Sequence, residues 1–516
     1  MTRIRSVLKG LAVGTLALAL GSGLASPAAA RTESQEAGTV VTTTGGAVRG
    51  TVDGRVRSFQ GIPYAAPPVG ELRWASPKPA VAWTGVREAT APGSPCPQPK
   101  GLPIGVPNDR DEDCLHLNVT TPAGAGGRLP VIVWIHGGSL MYGTGDMYGP
   151  KRLAAIGAVV VSMNYRLGVM GFLTDPALAE SGGLGLEDQQ AALRWVRANA
   201  GAFGGDAGNV TIMGQSGGGY SVCGHLASPG SAGLFDRAVV QSAPCATGGS
   251  RTRAEAEAEG KEVIARVGCD RSTDIAACLR KAPVATLLNV YGTDKEPRPV
   301  AGTELLPVAP GEALRTGRFN RVPVLIGVNH DEERGRVLGE ELARGGVALR
   351  PEEYEPAIRD EFGDKADAVL KRYPLTRFPS AGEALATVRT DAAWSVPTLD
   401  TARMLSRWTP TRMYEFSERD TPWFRGFPRG SFDQRAQHMA ELTYLFDLPL
   451  FEDVKDEQAR FRDRMTETWV GFACSGRTNW PAFRGDKGYV RTLASGAWKR
   501  AGFAEDHNDT FWKKVF

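Results

Sequence analysis

Asn209-Val210-Thr211-Ile212-Met213-Gly214-Gln215-Ser216-Gly217-Gly218 is the stretch on which the reading of the fold turns. Up to Met213 it is rich in β-branched residues and reads as a short strand, and the small residues after Gly218 can open a helix. Between them, Gly214 to Gly218 fits the spacing GxSxG, where glycines permit a sharp, strained turn that lifts a serine hydroxyl clear of the backbone. The motif alone is weak: with 63 glycines among 516 residues, chance supplies it in roughly one such chain in three. The strand, turn and helix order around it makes Ser216 a candidate nucleophile.

Working outward, residues 131–135 read as a buried strand leading into His136-Gly137-Gly138, and residues 158–163 as the next strand. Residues 210–213, 238–240, 324–328 (opened by Pro323) and 413–416 read the same way. Between them, residues 188–198 place Ala191, Ala192, Trp195 and Val196 on one helical face, and residues 221–226 fit a helix. This alternation predicts an α/β fold with a mostly parallel, doubly wound sheet flanked by helices. Residues 250–320 are richer in charge and poorer in strand pattern, and are expected to form a helical insertion over the sheet. No repeat or low-complexity linker divides the chain, so residues 31–516 are expected to form one large domain.

The first 30 residues carry Arg3, Arg5 and Lys9 and no acidic group, then an apolar run over 11–20, then Ala28-Ala29-Ala30. That is the layout of a secretory signal peptide cleaved after Ala30, of the Sec type because Arg3 and Arg5 are not adjacent. The run is shorter than the about 20 residues a membrane span needs, so no span is expected. Without the leader the chain has 57 basic and 57 acidic groups, which excludes bulk attraction to nucleic acid. Hydrophobic residues at 42% and charged ones at 23% place it among folded chains, not disordered or fibrous ones.

Seven cysteines in an exported chain argue for disulfides with at least one thiol left over. Cys96 and Cys114 flank a Pro/Gly-rich loop, Cys269 and Cys278 a polar one, and each pair is expected to be bridged. Cys223, Cys245 and Cys474 read as small buried apolar residues rather than parts of a third bridge. None has CxxC spacing, so no metal is expected.

A serine hydroxyl needs an imidazole to take its proton, and that imidazole needs a carboxylate to fix its tautomer. The chain order serine, acid, histidine leaves His438 and His507 as bases and excludes His116 and His136, while His330 falls beside the acid loop itself. His438 precedes an apolar segment, residues 441–446, able to hold a loop against the core, and is favoured. His507 lies in a polar stretch near the end and reads as a surface residue. The acid is expected after the strand at 324–328, where Asp331, Glu332 and Glu333 compete and pattern does not choose. His136-Gly137-Gly138-Ser139 follows a strand and offers the Gly138 and Ser139 amides to a developing oxyanion, with Gly217 as a third donor.

These features extend into a broader likeness. Phe59-Gln60-Gly61-Ile62-Pro63-Tyr64-Ala65, Glu112-Asp113-Cys114-Leu115-His116-Leu117-Asn118-Val119, the loop after His136, Gly185-Leu186-Glu187-Asp188-Gln189 and Phe203-Gly204-Gly205-Asp206 all precede the serine turn. With them the chain resembles the type B carboxylesterases, relatives of cholinesterases and bacterial esterases. The resemblance implies an α/β-hydrolase fold, Ser216 as nucleophile, Glu332 as acid, His438 as base and the same two disulfides. Ser139 stands where many members have Gly or Ala, Gly217 where they have Ala, and Glu333 where Gly usually follows the acid.

The expected function is a secreted serine carboxylic ester hydrolase acting on small-molecule esters, with no cofactor and an oligomeric state left open. An amide-cleaving hydrolase with the same triad and a non-catalytic binding homologue are the alternatives; the joint presence of Ser216, Glu332 and His438 argues against the second. A choline site calls for an aromatic face, and residues 97–113 contain no Trp, Tyr or Phe, so choline esters are expected to have no advantage.

Overall fold

The computed structural model describes residues 39–99, 111–124, 126–178, 182–486 and 488–516; the signal-peptide reading falls outside them. Its strands are β1 (Val40–Thr43), β2 (Gly46–Arg49), β3 (Thr51–Asp53), β4 (Val56–Pro63), β5 (Val86–Glu88), β6 (His116–Pro122) and β7 (Leu129–Ile135). They continue with β8 (Val159–Met163), β9 (Gly205–Gln215), β10 (Arg237–Gln241), β11 (Val324–Asn329), β12 (Thr411–Phe416) and β13 (Val490–Leu493). Ten of them form one sheet in the order β13-β12-β11-β10-β9-β7-β8-β6-β4-β3, while β1, β2 and β5 form a small sheet apart. From β13 to β8 every neighbouring pair is parallel, and the β6, β4 and β3 edge is antiparallel. This is the α/β-hydrolase fold.

The central strands read as unbroken apolar runs because helices cover both faces. Val131, Val133 and Ile135 of β7 point into one core with Val324, Ile326 and Val328 of β11. Ile132 and Trp134 point into the other with Val239 and Leu325. The two-residue period of a strand thus splits one hydrophobic run between two cores. Helices Leu184–Asn199 and Gly217–Ala227 stand where periodicity placed them, each longer than the pattern alone marked.

Residues 250–320 hold four helices, Arg253–Val267, Ile275–Lys281, Val284–Tyr291 and Pro310–Thr316. A capping box between Thr252 and Glu255 starts the first of these. Val263, Ile264, Leu279, Leu287 and Leu288 of this insertion pack on Met141, Tyr142, Val169 and Met170, so it lies against the loop that follows β7. The antiparallel edge and a second helical block, from Arg334–Ala343 through Val396–Ser406, were not read from the pattern.

Cys96 is bonded to Cys114 and Cys269 to Cys278. The reading of Cys223 and Cys245 as mere apolar filler is corrected, since they form a third disulfide. Cys223 lies on the helix after Ser216 and Cys245 just beyond β10, so the bond ties that helix to the neighbouring strand end. Both are buried like small apolar residues, and only the parallel pairing of β9 with β10 makes them neighbours. Cys474 is free and exposed, not buried. Non-reducing peptide mapping is expected to find these three pairs, with Cys474 alone alkylated in native protein; alkylation at Cys223 or Cys245 would refute the third. Removing that bond is expected to cost about 3 kcal/mol through the unfolded chain.

Candidate active site

β7, β9, β10 and β11 end nearly level: Ile135 pairs with Gly214, Gln215 with Gln241, and Gln241 with Gly327. The loops leaving their carboxyl ends are therefore brought together, as in open parallel sheets generally. β9 ends at Gln215 and the helix Gly217–Ala227 begins two residues later, so the chain reverses on Ser216 alone, with φ 55° and ψ −123°. That conformation is costly for a residue with a Cβ, and its neighbours enforce it. A Cβ on Gly214 would lie 2.3 Å from the Gly218 carbonyl oxygen, and one on Gly218 would lie 2.0 Å from that of Ile135. Ser216 is half-buried, and its hydroxyl has no hydrogen-bond partner among the described residues.

The loop after β7 touches this turn. A Cβ on Gly137 would meet the Ser216 Cβ at 3.3 Å, and one on Gly217 would lie 2.9 Å from the amide nitrogens of Ser139 and Leu140. The glycine at 217 fits this close approach. Gly138, Ser139 and Leu140 all have positive φ, at 101°, 57° and 59°. Neither the Gly138 nor the Ser139 amide is used in a hydrogen bond among the described residues, and Gly217 opens a helix whose first amides lack internal acceptors. His136 is buried, stacked on Tyr165 at 4.4 Å, and its pKa is pushed down to about 4 by burial, which keeps it neutral.

The three competing carboxylates separate in the fold. The buried Glu332 places Oε2 2.5 Å from His438 Nδ1, and its Oε1 accepts from the Asn329 amide at 2.8 Å. Asp331 instead faces His330 at 3.3 Å. Glu333 accepts from Trp394 Nε1 at 2.6 Å and pairs with Arg336 at 3.2 Å. The acid and base loops are laced together: the His438 amide donates to the Glu332 carbonyl, that of Asp331 to Ala436, and the Asn329 side chain to Gln437. Burial pushes the His438 imidazole down, but the charge and hydrogen bond of Glu332 outweigh it and hold the ring above the ordinary histidine range. With Nδ1 donating to Glu332, Nε2 is an acceptor; it lies 3.1 Å from the Gln215 side-chain amide, one residue from Ser216.

Two residues that sequence reasoning passed over belong to this site. Trp394 sits in a π-helical turn, Asp391–Ser395, with its ring 4.8 Å from that of His438. Glu441 is fully buried, accepts from Gln241 and Asn329, and is pushed up to about 7 by burial and by the nearby Glu332 charge. A lone carboxylate opening an otherwise apolar segment was its signal; Trp394 had none.

The surface reading of His507 is corrected. It is 3% exposed, Nδ1 donates to Asp391 at 2.6 Å and Nε2 to Glu415 at 2.7 Å, with the His330 ring 5.3 Å away. Burial pushes its pKa down, but the two carboxylates outweigh that and raise it to about 10. His330, Glu415 and His507 bring possible metal-ligand atoms within 4.8 Å of one another. Both His507 nitrogens carry protons into carboxylates, so this is an ion-paired cluster and not a set of free donors. Because the folded state holds the proton more tightly than the unfolded one, the stabilisation is complete below about pH 6.5 and is lost as pH rises through about 10. Melting temperature is expected to fall between pH 7 and 10, by an amount corresponding to a few kcal/mol. His507→Gln should melt lower at pH 7 and show a flatter slope; an unchanged slope would exclude His507 as its source.

Residues 37–512 match the model of the carboxylesterase family. The chain is 33% identical over 476 residues to a para-nitrobenzyl esterase of Bacillus subtilis (strain 168), covering 86% of this chain and 92% of that protein. It is 33% identical over 525 residues to a fumonisin B1 esterase of Sphingopyxis macrogoltabida, covering 95% and 92%. To a liver carboxylesterase of Sus scrofa it is 32% identical over 498 residues, covering 84% and 85%.

Proposed function

The chain belongs to the carboxylesterase family and is a carboxylic ester hydrolase, and on that premise we propose that it works through Ser216, His438 and Glu332 by way of an acyl-enzyme. Ser216 Oγ attacks the ester carbonyl carbon while His438 Nε2 takes its proton, and Glu332 keeps the other ring nitrogen as a donor and stabilises the imidazolium that forms. The amides of Gly138, Ser139 and Gly217 receive the developing oxyanion. His438 returns the proton to the departing alkoxide, and water then repeats the sequence on the acyl carbon. The observation that carries this reading is the 2.5 Å contact between the buried Glu332 and His438 Nδ1, with Nε2 turned toward the Gln215–Ser216 bend. In the step itself the serine hydroxyl takes the place of the Gln215 amide at Nε2.

The reading includes export, with residues 1–30 as a Sec-type signal peptide and 31–516 as one catalytic domain. Three disulfides among the described residues support an oxidising compartment. No described helix is long and apolar enough to cross a membrane. The substrate is a small neutral ester, and choline esters gain nothing over neutral esters of the same acyl group. A panel of p-nitrophenyl esters of increasing acyl length, run beside the matching anilides and choline esters, tests this. Faster turnover of anilides than of esters would overturn the ester assignment.

The oxyanion role has its own test at Ser139, whose φ of 57° is unusual for a side-chain-bearing residue. If its contribution is the backbone N–H, Ser139→Ala and Ser139→Gly both keep most of kcat. The glycine variant should also melt higher, by an amount corresponding to about 1 kcal/mol, because glycine adopts this conformation without strain. A large loss of kcat in a normally melting Ser139→Ala would assign the hydroxyl a chemical part.

A further inference from the structure

The strands that carry the active site at their carboxyl ends also converge at their amino ends. There, where Pro323 leads into β11 and Pro410 into β12, a cleft of about 700 Å³ opens to solvent. Arg412, Arg477 and Arg484 line it, with Trp408 and Phe483 as aromatic walls, and no carboxylate is among its lining residues. None of the three arginines forms an ion pair with a described residue. The Arg412 Nε is buried with no acceptor, and its Nη1 reaches only its own neighbour's carbonyl, Thr411, at 3.5 Å. Arg237, beside Gly476 at the edge of the cleft, also buries an Nε without an acceptor. Burial lowers the Arg412 guanidinium from its ordinary range, and the positive charges of Arg477 and Arg484 lower it further. Arg321, outside the lining, lies 4.7 Å over the Trp408 ring and donates to the Gly317 carbonyl.

Elsewhere on the surface several arginines are matched by carboxylates, Arg315 by Glu312, Arg359 by Glu355 and Arg389 by Glu340, whereas here three unpaired ones share one cleft. The mature chain has equal numbers of basic and acidic groups, so an unpaired basic cluster is a matter of placement and not of bulk charge. Like charges around one cleft repel, and a buried N–H without an acceptor is costly; one multiply charged oxyanion relieves both at once. Guanidinium groups present planar forks that match tetrahedral oxyanions through paired N–H···O bonds. We propose that this cleft is a second, non-catalytic site that binds a multiply charged oxyanion of the phosphate or sulfate class through Arg412, Arg477 and Arg484. It lies roughly 20 Å from the catalytic residues, the length of the six-residue strand β12, so occupancy leaves ester chemistry untouched.

Calorimetric titration and thermal melting of the intact exported protein test the proposal, with inorganic pyrophosphate and sulfate as probes and sodium chloride at matched ionic strength as control. Saturable binding of pyrophosphate is expected, with melting raised by about 2–3 °C at a hundredfold excess over Kd. Arg412→Gln and the double variant Arg477→Gln/Arg484→Gln should each weaken binding at least about tenfold while kcat/KM on a p-nitrophenyl ester stays at the wild-type value. Arg477 and Arg484 are exposed, so the double variant remains informative even if Arg412→Gln fails to fold. A stabilisation equal to that of sodium chloride would overturn the proposal. So would binding that survives the double variant, or citrate binding more tightly than pyrophosphate. Long-chain polyphosphate separates the two sources of such a group: tighter binding than pyrophosphate assigns a polymer-borne phosphate, equal binding a free one.

Discussion

Ser216→Ala is expected to lose ester hydrolysis by about 10⁴-fold or more while the protein folds normally. The change removes the oxygen that becomes bonded to the acyl group and nothing else, since a methyl group fills less space than the hydroxymethyl it replaces. The backbone constraint at this residue comes from the glycines around it, and alanine tolerates φ 55° no worse than serine does. Residual rate comes from the oxyanion amides and from substrate binding alone. The measurement is steady-state hydrolysis of a p-nitrophenyl ester, backed by intact-mass detection of an acyl adduct in wild type and its absence in the variant. Turnover above a few per cent, in protein free of wild-type contamination, would refute Ser216 as the nucleophile.

The second large effect belongs to the acid. Glu332→Gln is expected to lower kcat by about 10³- to 10⁴-fold, because an amide holds the imidazole without the charge that stabilises it when protonated. Glu333→Gln acts through Trp394 and Arg336, and Asp331→Asn through His330 and the nearby Arg334 and Arg435 charges, not through His438, so each should cost less than about tenfold. The pH profile gives an independent reading. In wild type, Glu332 outweighs burial and raises the His438 pKa; without that charge, burial prevails and the pKa falls. The acid limb of kcat/KM in Glu332→Gln should therefore move to lower pH. Equal losses across the three carboxylate variants, with no shift of the limb, would leave only a general charge effect.

How far each part was legible follows from the range of the interaction behind it. The parallel strands were readable because burial on both faces writes an apolar run into five or six consecutive residues, as in β7, β8 and β11. The antiparallel edge was not, because β3 is exposed throughout and β4, buried only at intervals, carries no unbroken apolar run. Cys223 and Cys245, 22 residues apart, looked like core filler because each is packed as such, and only the pairing of two strands brings their sulfurs together. His507 looked like a surface residue for the opposite reason: its polar neighbours Asp506 and Asn508 suggested solvent, while its own ring is held inside by Asp391 and Glu415.

Sequence by itself determined the strand, turn and helix around Ser216, since a tight turn, its glycines and its flanking periodicity are local consequences of backbone sterics. It also determined that a histidine and a carboxylate stand downstream in the order the fold requires. Only the tertiary structure decided which carboxylate reaches His438, that Trp394 and Glu441 stand beside it, and that three arginines distant in sequence share a cleft at the far end of the sheet. Asp331, Glu332 and Glu333 are equivalent in pattern because all three are acids on one loop. The directions of Glu332 and Glu333 are fixed by hydrogen bonds with the 436–438 loop and with Thr390 and Trp394, which lie about 60 to 110 residues further along the chain. Contacts of that separation leave no periodic trace, because they depend on how strands pair and loops dock, not on which residues neighbour one another along the chain.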